Sequence, residues 1–304
     1  MSQFQIRLPA TSANLGPGFD AVALALELYL AIDADAADAY SIKAVGRNVD
    51  VCTRLQRNLM LAVYEETLRA AGKPVRPLAL ALDNGIPIGM GCGSSAAARL
   101  GGISLANHFG ELGWNSNRIL QEACRLEGHP DNAAACWLGG FTVAAGSGEA
   151  MRAVSIDPPQ GWAAILVLPD RPLATSAARA LLPATYSRAD AVTNIQNVAL
   201  LTAAFQNGRA DLLQLAMADR LHQPYRAQVC PLLPALTPLA GRAGILGVAL
   251  SGAGPAVLAL VEERDLAQAT DAVERALPLQ NTAEVLSTRL TCVFREKLPE
   301  ITED

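Results

Sequence analysis

The sequence predicts a globular protein of mixed helices and strands, on three observations. Short stretches with strand-like alternation or continuous apolar character, such as Phe4–Leu8, are interspersed with helix-like stretches such as Asn58–Ala71. In the second half the two kinds alternate like a split β-α-β unit. With 304 residues, 51% of them hydrophobic, the chain can build one large domain or two ordinary ones.

Taken in order, Phe4–Leu8 reads as a strand and residues 9–20, PATSANLGPGFD, as a structured loop, because Pro, Gly, Asn and Ser cluster there. Asn14 and Asp20 are the polar groups this loop can present, as ligands or simply as turn formers. Strands follow over 22–32 and 40–45, then a helix over 58–71 stopped by Gly72, and a short strand over 78–82. Helices are expected over 94–109 and 117–126, the second capped by Asn115 or Ser116. A short Ala-rich helix ends at Gly139-Gly140, and 141–145 is a strand. The pattern loosens over 146–161, which places a boundary between units 1–155 and 156–304. The second unit reads as a strand over 162–168, helices over 175–182, 189–206 and 210–221, strands over 245–250 and 256–261 flanking Ser251-Gly252-Ala253-Gly254-Pro255, a helix over 264–277 and a strand over 285–290.

Net charge is −5 and the isoelectric point about 5.3, which argues against a general nucleic-acid binder. Lysine occurs only at 43, 73 and 297, so arginine must supply most cationic contacts, in bidentate form where the partner is carboxylate or phosphate. The six cysteines form no C-x-x-C pair and read as small buried hydrophobes; Cys92, inside a glycine loop, is the one that could sense oxidation. No signal-peptide run or membrane-spanning stretch is present, so the expected location is the cytoplasm.

Three stretches carry chemistry. In residues 87–98, PIGMGCGSSAAA, three alternating glycines precede two serines and the start of a helix. Glycine lets backbone approach a ligand, Ser94 or Ser95 can cap the helix, and the free N–H groups of a first turn attract phosphate. The stretch fails both the dinucleotide pattern, since five residues separate it from its strand, and the Walker pattern, since no lysine follows. Residues 127–132, EGHPDN, gather two acids, an imidazole and an amide before the Ala-rich helix. Thr175 and Arg179 lie four apart on one helix face.

Together these segments resemble the GHMP kinase superfamily. PIGMGCGSSAAA resembles its ATP loop, and SGAGPAV at 251–257 its third motif. PATSANLGPGFD and EGHPDN are similar to motifs of the homoserine kinase branch. The usual loop reads GLGSSAA, and Cys92 stands at its Leu position. The resemblance covers essentially the whole chain. It implies a two-domain α+β fold, the N-terminal domain like ribosomal protein S5 domain 2 and the C-terminal domain ferredoxin-like. It also implies ATP and Mg²⁺, L-homoserine as substrate in threonine biosynthesis, a homodimer, and no nucleic-acid or membrane partner. By the same resemblance Pro87, Gly89, Gly91, Cys92, Gly93, Ser94, Ser95 and Ala96 belong to the phosphate loop and Asn58 contacts the base. Ser94 or Ser95 would meet Mg²⁺ with a carboxylate, Glu127 in preference to Glu122. Asn14, Asp20, His129, Asp131 and Asn132 would surround the amino acid. Thr175, Arg179 and Arg226 would bind it, the two arginines on its carboxylate. Asn132 would orient the accepting hydroxyl, with Asp131 as the fallback base. Two other functions compete with this one, a GHMP kinase for a mevalonate-like alcohol and a non-catalytic ATP-binding regulator.

Overall fold

In the computed structural model, which describes residues 4–278 and 282–297, the first half of the chain is built on one long hairpin, β1 (Phe4–Asn14) and β2 (Gly18–Ala36). The expected loop over 9–20 is therefore mostly strand, and the turn is only Leu15-Gly16-Pro17. Pro9 stands beside a register shift between Pro9 and Ala10, the kind of irregularity at which a strand accepts proline. Both faces of residues 8–14 are buried, so alternation vanishes where it would have revealed the strand. Asn14, Leu15 and Asp20 take positive φ around the turn.

Then come β3 (Ser41–Gly46), α1 (Val49–Cys52), α2 (Leu59–Ala70), β4 (Leu78–Asn84), α3 (Ser94–Phe109), α4 (Ser116–Glu127), α5 (Asp131–Leu138), β5 (Phe141–Ala145) and β6 (Arg152–Ile156). The sheet order is β3-β4-β2-β5-β6, with β1 paired to β2; β3 runs parallel to β4 and every other pair is antiparallel. Helix α4 takes Asn115 as its cap, whose side chain accepts the Arg118 N–H. Strand β6 lies inside the stretch that reads as a loosened boundary; Gly and Pro on both sides hide it. The core beneath the sheet joins Leu8, Leu24 and Leu26 to Leu100, Ile103 and Tyr64 from the helices.

The second sheet runs β10-β7-β9-β8, all antiparallel, from β7 (Trp162–Pro169), β8 (Ile245–Leu250), β9 (Val257–Glu262) and β10 (Ala283–Arg289). Between β7 and β8 lie α6 (Thr175–Ala180), α7 (Arg188–Asn207), α8 (Leu213–Ala216), α9 (Gln223–Arg226) and α10 (Leu232–Leu236); α11 (Leu266–Ala276) joins β9 to β10. This is the split β-α-β order that the sequence predicts. The helix expected over 210–221 breaks at Met217, because Asp219 captures the N–H groups of Leu221, His222 and Gln223 and starts a new turn.

After β10 the chain returns to the first unit. Thr291 donates its N–H to the Ala25 carbonyl, Gly140 donates to Thr291, and Phe294 donates to Leu138 at 2.7 Å. The Lys297 ammonium stands 4.4 Å from the centre of the Trp137 ring, at the C-terminal end of α5.

Candidate active site

The glycine loop is clamped through its carbonyls. Thr11 N–H donates to Cys92 O at 3.1 Å, Ser251 Oγ to Gly91 O at 2.8 Å, Ala256 N–H to Met90 O at 3.3 Å and Leu173 N–H to Gly89 O at 3.3 Å. Only glycine fits at two points. A Cβ on Gly93 (φ +71°) would lie 1.9 Å from Thr11 Oγ1, and one on Gly91 (φ +81°) 2.2 Å from Ser251 O. The N–H groups of residues 89–96 meet no acceptor among the described residues. With the dipole of the 16-residue α3 behind them, they form an anion cradle.

The N-cap of α3 is Gly93 and no side chain caps it. Ser94 and Ser95 lie inside the first turn, which corrects their expected capping role. Their hydroxyls are free for other partners because a cap must stand one residue outside the helix. Ser95 Oγ donates to Glu127 Oε1 at 2.5 Å, and Glu127, with a side chain only 7% exposed, is also ion-paired with Arg99. Glu122 instead holds Arg125 on its own helix and does not line the cleft. A hydroxyl and a carboxylate at a phosphate-type helix terminus are hard oxygen donors of the kind Mg²⁺ takes, so Ser95 and Glu127 fit that ion.

From this corner a cleft of about 320 Å³ is lined by residues from both halves of the chain. Asn14, Asp20, His129, Asp131, Asn132, Thr175, Arg179 and Arg226 all line it, together with Gly89, Gly91, Cys92, Gly93, Ser94 and Ser95. These sequence-predicted residues are thus gathered in one place. Asn14 ties the first motif to the third, donating from Nδ2 to Gly252 O at 2.9 Å and accepting the Asp20 N–H. Asp131 Oδ1 meets His129 Nδ1 at 2.7 Å and accepts from both the N–H and Nδ2 of Asn132. Thr11 Oγ1 donates to Asn132 Oδ1 at 2.7 Å, which sets the amide's orientation. Burial pushes the His129 imidazolium down, but the hydrogen bond and charge of Asp131, with Glu127 and Asp20 nearby, outweigh it and leave its pKa above the ordinary value.

At the opposite end, Arg179 makes a bidentate pair with Asp20, at 2.9 and 2.6 Å, which raises the pKa of its guanidinium. Arg226 is 1% exposed and has no carboxylate partner among the described residues. Burial, then the Arg179 charge, lowers its pKa. A buried cation without a counter-ion is costly unless an anion is supplied.

Next to the cleft and sharing Gly89, Ser94 and Ser95 with it, a cavity of about 360 Å³ is walled by Leu30, Met60, Leu82, Ile86, Ile88 and Ala98. Asn58 lines it too, but its side chain caps α2, accepting from Met60 and Leu61, and donates to the Cys52 and Arg54 carbonyls. Its polar atoms thus have partners within the protein. Pro87 and Ala96 line neither space, and Ala96 is buried beneath the loop. Cys92 is buried and burial pushes its thiol up to about 12, so it carries no reactive thiolate.

Sequence reasoning missed four participants. Arg99 looks like an ordinary helix charge, although it sits four residues after Ser95 on the same face. Thr11 sits in a stretch that reads as a loop. Phe19 lies in the first motif, and its ring is 5.2 Å from Arg179 Cζ and 5.3 Å from Arg226 Cζ. His222 is fully buried beside Arg226.

Comparison with known proteins gives the family of the chain. Residues 58–140 match the model of the GHMP kinases N terminal domain, and residues 201–279 that of the GHMP kinases C terminal domain. The chain is 42% identical over 302 residues to the homoserine kinase of Solibacter usitatus, spanning 99% of this chain and 98% of that one. It is 39% identical over 267 residues to the homoserine kinase of Synechocystis, covering 86% of this chain and 87% of that one. The crystal structure of homoserine kinase from Cytophaga hutchinsonii superposes with a TM-score of 0.81 over 96% of both chains at 23% identity. That of L. major mevalonate kinase with R-mevalonate gives 0.70 over 94% of this chain and 96% of that one at 13% identity. These two likenesses show a shared fold.

Proposed function

The chain belongs to the homoserine kinases of the GHMP kinase family, and from that membership and the cleft we infer that it transfers the γ-phosphoryl group of ATP to the side-chain hydroxyl of L-homoserine. The product, O-phospho-L-homoserine, serves threonine biosynthesis. The single observation that carries the choice of substrate is the charge layout of the cleft. An anion cradle at the start of α3 faces one end, and at the other stand Asp20, Arg179 and Arg226, which has no carboxylate partner among the described residues. A zwitterionic amino acid needs a cationic fork and an acidic acceptor side by side, whereas a mevalonate-like alcohol carries no ammonium for Asp20.

In this reading the amides of residues 89–96 receive the phosphates, and the apolar cavity beside Asn58 receives the base. Ser95 and Glu127 would hold Mg²⁺, whose charge offsets that of the phosphates. Arg179 and Arg226 grip the homoserine carboxylate, with Thr175 at the start of the same helix as Arg179. Asp20, with His129 and Asp131 close by, faces the ammonium. The ligand atoms of these three lie within 4.8 Å of one another. Asn132, held by Thr11 and Asp131, orients the accepting hydroxyl. The new P–O bond forms as the bond to the β–γ bridging oxygen breaks, and the hydroxyl's proton passes to an oxygen of the transferred phosphoryl group and from there to water. Phosphoryl transfer depends on positioning and charge stabilisation more than on a strong base. We assign Asp131 to holding Asn132 and His129 in place, since Asp131 Oδ1 already meets three hydrogen-bonding groups.

Units 1–155 and 156–304, a homodimeric assembly and a cytoplasmic site of action complete the proposal. The two separate sheets support the first, the family resemblance the second. No helix among the described residues is long and apolar enough to cross a membrane. The test is ATP turnover by the purified protein with L-homoserine, mevalonate and galactose, each with Mg²⁺. Turnover with homoserine alone is expected; equal or faster turnover of mevalonate would overturn the reading.

A further inference from the structure

Arg226 is held by a group that neither motif nor mechanism has used. Its Nη1 lies 3.1 Å from His222 Nδ1, while His222 Nε2 lies 2.8 Å from the Gly16 carbonyl. A guanidinium only donates and a carbonyl only accepts. The two partners therefore dictate one neutral tautomer, with the proton on Nε2 and a lone pair on Nδ1. The ring is fully buried and stacks on Phe19 at an interplanar angle of 29°, with centroids 5.3 Å apart. Phe19 in turn has both arginines close to its ring. The backbone of His222 is itself anchored, its N–H donating to Asp219 Oδ2 at 2.9 Å. The remaining contacts of Arg226 are long, 3.4 Å to Ala178 O and 3.3 Å to Gly252 O. The Nδ1 lone pair is thus the shortest hydrogen-bond acceptor that the guanidinium has among the described residues.

We propose that His222 is a positioning residue for substrate recognition: as a neutral acceptor it aims the Arg226 guanidinium at the carboxylate of the amino-acid substrate without neutralising its charge. A carboxylate in its place would hold Arg226 as firmly but would pair off its charge, as Asp20 does that of Arg179, and leave neither arginine with an unpaired charge for the substrate. A protonated imidazole would lose the acceptor and repel the guanidinium. The proposal rests on the carboxylate-binding reading of Arg226 given above.

The environment keeps the ring neutral. Burial lowers the His222 pKa, the Asp219 charge (Oδ2 3.7 Å from Nε2) opposes this, and Arg226 reinforces it. The other charged or titratable groups nearby are Asp20 on the first-motif turn, Arg179 on α6, Tyr186, and Cys230 beyond α9. Because the folded pKa lies below the ordinary value, the acceptor is present at neutral pH and is lost only as pH falls below the usual histidine range.

The experiment compares steady-state kinetics of the full-length protein and three variants, His222→Phe, His222→Asn and Arg226→Leu, with Mg-ATP. The substrates are L-homoserine and homoserinol, which replaces the carboxylate by a hydroxymethyl group. His222→Phe retains the ring stack but removes the acceptor. It is expected to raise the homoserine KM about 10- to 100-fold, the size of one hydrogen bond to a charged group. The ATP KM and the KM for homoserinol should stay within about twofold. His222→Asn, whose amide oxygen can replace Nδ1, should recover most of the loss. In the unmodified protein the rise of the homoserine KM with falling pH should include a step from His222 that lies below the titration of His129 in the cleft, and that lower step should be missing in His222→Asn. This profile is the deciding measurement where His222→Phe fails to fold. An unchanged homoserine KM in His222→Phe, an equal loss toward ATP or homoserinol, or a lower acid step that persists in His222→Asn overturns the assignment. If Arg226→Leu leaves the homoserine KM unchanged, the carboxylate reading itself fails. If Arg226→Leu raises it and His222→Phe does not, only His222 is misassigned.

Discussion

Replacing Glu127 by Gln isolates the charge at the corner where α3 begins. The amide keeps the volume, can still accept from Ser95 Oγ and can still face Arg99, so the packing of α3 on α4 is preserved. What disappears is one negative charge from a side chain only 7% exposed. Two unit charges about 4 Å apart attract by roughly 4 kcal/mol at an effective dielectric near 20. In the proposed role the ion that Glu127 would hold is divalent, but water and phosphate would take over part of the lost ligand. A net loss of about 2–4 kcal/mol in the transition state follows, or roughly 30- to 700-fold in kcat. Loss of the Arg99 ion pair costs about 1–2 kcal/mol of stability, because Arg99 is partly exposed and keeps a neutral partner. The assay is kcat as a function of Mg²⁺ concentration at saturating ATP and homoserine, with a thermal melt alongside. The midpoint of the Mg²⁺ titration should move to higher concentration while the melt shifts by only a few degrees. Glu122→Gln should change neither, since Glu122 only holds Arg125. A Glu127→Gln enzyme with unchanged turnover across the Mg²⁺ range would show that this carboxylate merely anchors Arg99.

Two other outcomes test the loop. Gly93→Ala puts a methyl 1.9 Å from Thr11 Oγ1 at a φ of +71°, so it should cost about 2–4 kcal/mol, read as a lowered melting temperature, and should also disturb Asn132 through Thr11. An unshifted melt would mean that the loop reshapes freely. Cys92, with its thiol pushed up to about 12, should remain protonated from pH 6 to 9, so iodoacetamide at pH 8 should leave activity intact on the timescale on which it labels exposed Cys292. Rapid inactivation traced by mass spectrometry to Cys92 would contradict this.

What could be read in the chain depended on whether a local rule and the tertiary structure agreed. The bounds of α3, Ser94 and Phe109, were legible because glycines stand on both sides of an unbroken apolar-rich run. The end of β1 was not, because Pro9, Asn14 and Gly16 carry loop signals while the strand survives through a register shift and two-sided burial. The cleft residues were named largely because their motifs resemble a family. Nothing in local pattern brings Arg226 to Arg179, since they meet only across the fold. The partners that hold those residues were harder still. Thr11, Phe19 and His222 make contacts over 121, 160 and 206 residues of sequence, and no periodicity spans such distances.

The return of residues 290–294 to the first unit has a consequence for how the enzyme comes into being during synthesis. Gly140 waits for the Thr291 carbonyl, and Leu138, at the far end of the helix whose first residues are Asp131 and Asn132, waits for the Phe294 N–H. About 150 residues must be translated between donor and acceptor, roughly 8–30 s at ordinary ribosomal rates. Through that interval the first sheet can form its hairpin and its helices, yet α5 lacks the strap that covers one end. A nascent chain can therefore own every residue of the phosphate cradle and still lack the finished wall that presents Asn132. That wall is completed only when the returning segment docks on Leu138 and Gly140.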